Sequence, residues 1–256
     1  MSDFDRNIAT ARTGYRTDQV AIDAGLRAYM IRVYNYMAVG VALTGVVAWL
    51  TFQAAGGDSI QIVGKHITGL TPFGQAIFGG PLTIVLFLGT LGLVFFLSFR
   101  INRLQPGTAL GLFMLYAGLL GLMLSSIFLS YTGASITRVF FISAASFGAL
   151  SLYGYTTQRN LSPIGSFLIM GLFGLILAML VQMWLQSPGL NFAISVIGVL
   201  IFAGLTAWDT QQIKEMYDVQ DDGTVAGRKA VMGALRLYLD FINLFLMLLR
   251  LMGDRR

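Results

Sequence analysis

The chain carries seven apolar runs, at about 29–52, 81–99, 108–129, 136–155, 163–185, 191–213 and 230–251. Each is close to the roughly 20 residues that a helix needs to cross a hydrocarbon core about 30 Å thick. Most of them are uncharged between their ends, whereas the seventh is interrupted by Arg236, Asp240 and Asn243. A helix that polar is poorly suited to face lipid, so it is expected near the middle of the bundle, shielded by the other six. Composition agrees: 11% of residues are charged and the mean hydropathy is +0.73. Ordinary soluble domains carry about 25% charged residues, too many more than this chain has for it to coat a soluble globule of its size. The expected fold is therefore all-α, an integral membrane bundle of seven transmembrane helices with the C-terminal helix central.

The flanks are short. Residues 1–28 are polar and mixed in charge, and read as a loose tail in which Thr17 or Asp18 caps a juxtamembrane helix. Tyr29, Tyr34 and Tyr36 are expected at headgroup level, in an aromatic belt. The N-terminus lacks a short apolar region followed by a small-residue cleavage site, so the first run is expected to act as its own insertion signal. Residues 54–80 form the one long connection on one side and hold the lone His66, expected in a loop; 214–229 form an aqueous loop on the other. Residues 254–256 are a C-terminal tail. The 30 glycines are read as close-packing positions between helices. Gln182, Asn35 and Arg138 are read as packing or interface residues.

Several function classes fall away on composition. With no cysteine and a single histidine, no disulfide framework and no Cys/His zinc site can form. The same scarcity argues against a Ser-His or Cys-His nucleophile. A net charge of +5 reflects loop bias more than a nucleic-acid surface. With the N-terminus inside, twelve of the seventeen Lys and Arg fall on the inner side; Lys65, Arg138, Arg250, Arg255 and Arg256 fall outside. The positive-inside rule thus favours a cytoplasmic N-terminus. The terminal Asp254-Arg255-Arg256 is the misfit, since seven spans put it outside; a six-span arrangement would return it to the inside.

Charged residues within the spans carry the functional signal, because an acid in a membrane helix costs a few kcal/mol and tends to face a partner or a water-filled cavity. Asp209 lies five residues before Lys214, about 8 Å from the inner surface along the sixth helix. Asp240 lies ten residues after Ala230, about 15 Å deep along the seventh. Arg100, closing the second span, falls in the same half of the membrane. Arg236, Asp240, Asn243, Met247 and Arg250 follow spacings of four, three, four and three, so they share one helix face; Thr206, Asp209 and Gln212 share a face of the sixth helix. Two such stripes on consecutive antiparallel helices could line a hydrophilic path through Thr206, Gln212, Arg236 and Asn243. They could equally be structural: Arg236 could neutralise Asp240, and Asp209 could reach Lys214 or Arg100. Two close carboxylates in low dielectric cannot both ionise cheaply, and beside an arginine they can change charge near physiological pH. Deprotonated, Asp209 and Asp240 would offer hard oxygen ligands to Ca²⁺, as a sparse and weak site.

At these residues the chain resembles the Bax inhibitor-1 (transmembrane Bax inhibitor motif) family in its bacterial branch. The resemblance rests on Trp208-Asp209-Thr210-Gln211, on LYLDFINLFLMLLRLMG at 237–253, on Arg100 closing the second span, and on RVYNYMAVGVALTG in the first. It extends over about residues 25–253. It implies a seven-helix bundle with the last helix central and a pH-sensing pair, Asp209 with Asp240. It also implies an Arg100 bridge to the sixth-helix acid that helps hold a pore closed, and a pH-sensitive calcium leak as the activity. Two features depart from the pattern: Arg236 sits one turn before Asp240, where it can compete for that acid, and the C-terminus is too short for the basic pH-responsive tail of some eukaryotic members.

Three function classes follow. The first is the calcium or cation leak, with Ca²⁺ as the transported ion and no tightly bound cofactor. The second is an interaction protein that sits in the lipid bilayer and modulates another membrane protein, such as a protease or a cell-death regulator. The third, an intramembrane aspartyl protease, is disfavoured because the second acid reads Leu237-Tyr238-Leu239-Asp240 rather than GxGD, and no proline follows it. The chain is read as a non-enzyme in a bacterial inner membrane.

Overall fold

The computed structural model describes residues 3–63 and 66–255, with side chains from residue 24 onward apart from 61–66 and 102. The elements run α1 (Asp3–Ala54), β1 (Gln61–Val63), β2 (His66–Thr68), α2 (Pro72–Gly79), α3 (Pro81–Arg100), α4 (Pro106–Leu124), α5 (Ile127–Ser130), α6 (Gly133–Thr156), α7 (Ser162–Leu185), α8 (Pro188–Glu215) and α9 (Gly223–Met252). Among the described residues, seven stretches are long and apolar enough to cross a membrane: Ala24–Ala54, Pro81–Arg100, Pro106–Ser130, Gly133–Thr156, Ser162–Leu185, Pro188–Glu215 and Gly223–Met252.

All five prolines of the chain stand in the first two positions of helices, opening α2, α3, α4, α7 and α8. That is the one place in a helix where a missing N–H costs nothing and a fixed φ helps. Side-chain caps mark other starts: Thr132 accepts from Ser135 N at 3.3 Å before α6, and Asp222 from Val225 N at 2.7 Å before α9. The third apolar run breaks after Leu124. Ser126 donates its hydroxyl to Met123 O at 2.9 Å, and Ser125 donates to Leu122 O. Serine side chains compete in this way for helix carbonyls.

Several expectations need correction. The segment expected as a loose tail is continuous helix from Asp3, so Thr17 and Asp18 lie inside α1 rather than capping a later start. It contains no proline and a single glycine before residue 24, so nothing in its backbone chemistry stops a helix. Around His66 the connection folds as a small antiparallel hairpin, Gln61 opposite Thr68 and Val63 opposite His66. Tyr29 is buried at 5% exposure, with its ring 5.7 Å from Tyr217, so it belongs to the core and not to a headgroup belt. Tyr34 is half-buried and hydrogen-bonds Ser151.

The helices arrange around α9. It packs against α1, α4, α6 and α8; α3 lies outside on α4, and α7 outside on α8. Burial follows the same order: 72% of the apolar stretch of α9 is buried against 11% in α3 and in α7. The central position expected for the last helix is what the structure has. The end of α9 returns beside the start of α6. Thr132 N donates to Asp254 O at 3.1 Å, Asp254 N donates to Ser135 Oγ at 2.9 Å, and Arg138 pairs with Asp254 at 2.7 Å. At the opposite end Lys214 Nζ donates to Tyr155 O, next to the end of α6, at 2.9 Å. The C-terminal end of α9 thus lies beside the start of α6, and the C-terminal end of α8 beside the end of α6.

Candidate functional site

The segment Ala207–Gln211 of α8 uses every side of its helix. Ala207 meets α6 so closely that a Cβ on Gly154 would lie 2.1 Å from its carbonyl oxygen. Trp208 lies flat over Gly165 of α7, where a Cβ would stand 2.3 Å from the indole. Thr210 bonds the Ser151 hydroxyl of α6 at 2.8 Å and donates to Thr206 O at 2.8 Å. Gln211 is buried and holds the α6–α7 corner: its Oε1 accepts from Leu161 N and its Nε2 donates to Arg159 O, both at 2.8 Å. Four residues therefore anchor α8 to its neighbours, and the fifth, Asp209, is left to face α9.

There it meets Asp240. The two carboxyl groups face each other across the α8–α9 seam, close enough to interact directly. Asp240 is buried at 5% exposure, and its Oδ2 has no hydrogen-bond partner. Two carboxyls so placed hydrogen-bond each other only when one of them carries a proton, since ionised carboxylates are acceptors alone. Arg236 completes the group. Its guanidinium Nη1 lies 3.7 Å from Asp209 Oδ1, with side-chain exposures of 38% and 13%. Being one turn before Asp240 on α9, it reaches over to the acid of the other helix. Close approach of α8 and α9 makes this geometry possible: Gly198 admits the Met247 sulfur, and Gly233 admits Ile213.

The other expected site residues fall elsewhere. Arg100 is exposed at the end of α3 and makes no ion pair or hydrogen bond with any described residue. Since α3 packs on α4 at the rim of the bundle, the arginine at the acid pair is Arg236, not Arg100. Thr206 is fully buried, but its hydroxyl donates to Phe202 O at 2.7 Å on its own helix. Asn243 Nδ2 likewise donates to Leu239 O at 2.8 Å. Gln212 turns toward α7, donating to Glu215 at 3.0 Å and to Ser162 at 3.5 Å. Asp209 and Asp240 are thus brought together with Arg236, while Thr206, Gln212 and Asn243, also expected to line a path, are bonded elsewhere. Among the described residues no group of three or more His, Cys, Asp and Glu comes together.

Two buried hydroxyl clusters were not legible in the sequence. Tyr34, Ser151 and Thr210 link α1, α6 and α8. Thr44 of α1 shares a hydrogen bond with Tyr238 Oη of α9 at 2.6 Å and donates to Ala117 O of α4 at 2.9 Å. The only signal for them was a run of small hydroxyl residues on otherwise apolar helices, which does not say which of them meet.

The family model described as Inhibitor of apoptosis-promoting Bax1 matches residues 26–256. The protein RP147 of Rickettsia prowazekii is 46% identical over 256 residues, covering 100% of both chains. The inner membrane protein YbhL of Escherichia coli K12 is 47% identical over 235 residues, covering 91% of this chain and 94% of the relative. A protein of Caulobacter vibrioides is 41% identical over 259 positions, covering 100% of each. With a family match over nearly its whole length and full-length relatives above 40% identity, the chain belongs to the Bax inhibitor-1 family of integral membrane proteins.

Proposed function

We propose that the chain is a pH-sensitive cation leak with calcium as the transported ion, in which Asp209 and Asp240 form the gate and Arg236 helps to hold it shut. The observation that supports this reading is the meeting of two carboxyls from consecutive helices inside the bundle, with Arg236 3.7 Å from Asp209 and one Asp240 oxygen buried without a partner. In this reading a proton held between the two acids is the control element. Without it, two unit charges about 4 Å apart repel by about 4 kcal/mol at an effective dielectric of about 20. That is enough to drive the side chains away from each other, and the freed oxygens are hard ligands of the kind Ca²⁺ takes. Arg236 offsets the repulsion and competes with the ion for Asp209. Two acids are a sparse oxygen set, which suits passage rather than storage. The pair acts as a gate rather than as a catalyst, and the reading requires no resident cofactor. By the positive-inside rule we place the N-terminus on the cytoplasmic side of a bacterial inner membrane.

The test is Ca²⁺ flux into proteoliposomes of the purified protein from about pH 6 to about pH 8, wild type against Asp240→Asn. An amide at 240 can donate to Asp209 without a shared proton, so the flux is expected to lose its dependence on pH. Wild-type vesicles as tight as empty ones at every pH would overturn the reading. The acids would then be structural, and the search would move to a partner membrane protein.

A further inference from the structure

The membrane face that carries the C-terminus holds few cations, and the structure accounts for them unevenly. Among the described residues on that face these are Arg138, Arg250 and Arg255. Arg138 is paired with Asp254 at 2.7 Å. Arg250 and Arg255 make no side-chain ion pair or hydrogen bond with any described residue, and both line one cavity of about 350 Å³. The cavity lies between the α7–α8 corner and the end of α9, and no acid lines it. Its wall includes Gln182, whose Nε2 donates to Ser187 O at 3.0 Å while its Oε1 is buried without a partner. Two guanidinium groups free of acids thus line the same space.

Guanidinium groups match phosphate oxygens with parallel N–H donors, and such charge-assisted bonds are the stronger kind. Depth points the same way. Trp184, two residues from the cavity's Gln182, is 86% exposed, as an indole at headgroup level would be in a bilayer. Phe192 and Leu251, 63% and 36% exposed, carry the lining out to the apolar flank of the bundle.

We propose that this cavity is a phosphate-binding site, in which Arg250 and Arg255 take the phosphate. A phospholipid headgroup and free phosphate share this chemistry. The ligand bridges the α7–α8 corner and the central helix, so it stabilises the bundle. It also gives the unpaired arginines on this face a use, at a place where the positive-inside rule disfavours them.

The experiment uses the full chain in dodecyl maltoside, with dioleoylphosphatidylglycerol and inorganic phosphate as separate probes. Adducts are read by native mass spectrometry and the melting temperature by tryptophan fluorescence. Wild type is compared with Arg250→Gln/Arg255→Gln and with Arg103→Gln, a change at the opposite end of the bundle. Wild type and Arg103→Gln are expected to hold the lipid and melt higher with it, and the double variant to bind at least about tenfold more weakly, as loss of charge-assisted bonds implies. A response to the lipid alone assigns the headgroup; a response to both probes shows that free phosphate suffices. Failure of wild type to bind either probe, or equal binding by the double variant, overturns the proposal. If the double variant melts early without ligand, Arg255→Gln alone, at an exposed terminal position, serves in its place.

Discussion

Gly154→Ala tests whether the α6–α8 seam holds the acid-bearing helix in place. A Cβ at Gly154 would stand 2.1 Å from Ala207 O, 2.9 Å from its carbonyl carbon and 3.0 Å from its Cα, all backbone atoms with no rotamer to yield. If α6 stays where it is, the added methyl overpacks the seam at a cost of about 1–3 kcal/mol. If α6 retreats by more than an ångström, the Ser151–Thr210 bond at 2.8 Å and the Lys214–Tyr155 bond at 2.9 Å are lost. At about 1 kcal/mol each, that route costs about 2 kcal/mol as well. Either way the folded-to-unfolded ratio falls by roughly 30-fold. Gly148→Ala is the control on the same helix. Nothing lies within 4 Å of a Cβ there, so the change should stabilise α6 by about 0.5–1 kcal/mol through backbone entropy alone. The two variants are compared by SDS titration in mixed micelles, followed by circular dichroism and tryptophan fluorescence. Opposite shifts of the midpoint are expected. A Gly154→Ala protein as stable as the Gly148→Ala protein would refute the reasoning, because it would mean that the close approach at Ala207 is not a feature of the folded state.

Two further changes probe buried hydrogen bonds. Gln211→Leu removes both bonds to the α6–α7 corner and strands the Leu161 amide, at a cost of about 1–3 kcal/mol; faster proteolysis and amide exchange of residues 157–161 should report it, and unchanged protection there would contradict the assignment. Thr44→Val leaves the fully buried Tyr238 hydroxyl without its partner, and adding Tyr238→Phe should recover some of the loss, so that the double variant is less destabilised than the sum of the singles in the same titration.

The site was partly legible before the fold was known. An aspartate inside an apolar run announces itself by its cost in lipid, and both Asp209 and Asp240 were visible on that ground. The position of a residue along a helix also gives its depth, so their placement in the same half of the bundle could be argued from 1.5 Å of rise per residue. Depth does not give azimuth, however. Arg100 and Arg236 lie at similar depths, and only the packing of α3 against α4, away from α8, leaves the pairing to Arg236. The stripe of Arg236, Asp240, Asn243, Met247 and Arg250 is real as a helix face, yet its members meet different surroundings. Asn243 bonds its own helix, Met247 fills the space at Gly198, and Arg250 reaches a surface cavity.

What the sequence by itself determined are the properties that depend on local chemistry: seven spans from their length and hydropathy, helix starts at the five prolines, and a polar seventh helix that has to be shielded. The tertiary structure decided which side chains meet. It ranged α1, α4, α6 and α8 around α9, joined Asp209 to Asp240, and gave Trp208, Thr210 and Gln211 separate neighbours on α7, on α6 and at the α6–α7 corner. The reason is physical. Whether a helix spans a membrane is settled by the solvent around it, one segment at a time. Which face meets which neighbour is settled by close packing at small residues such as Gly154, Gly165 and Gly198, and that is a property of pairs of helices that no single segment contains.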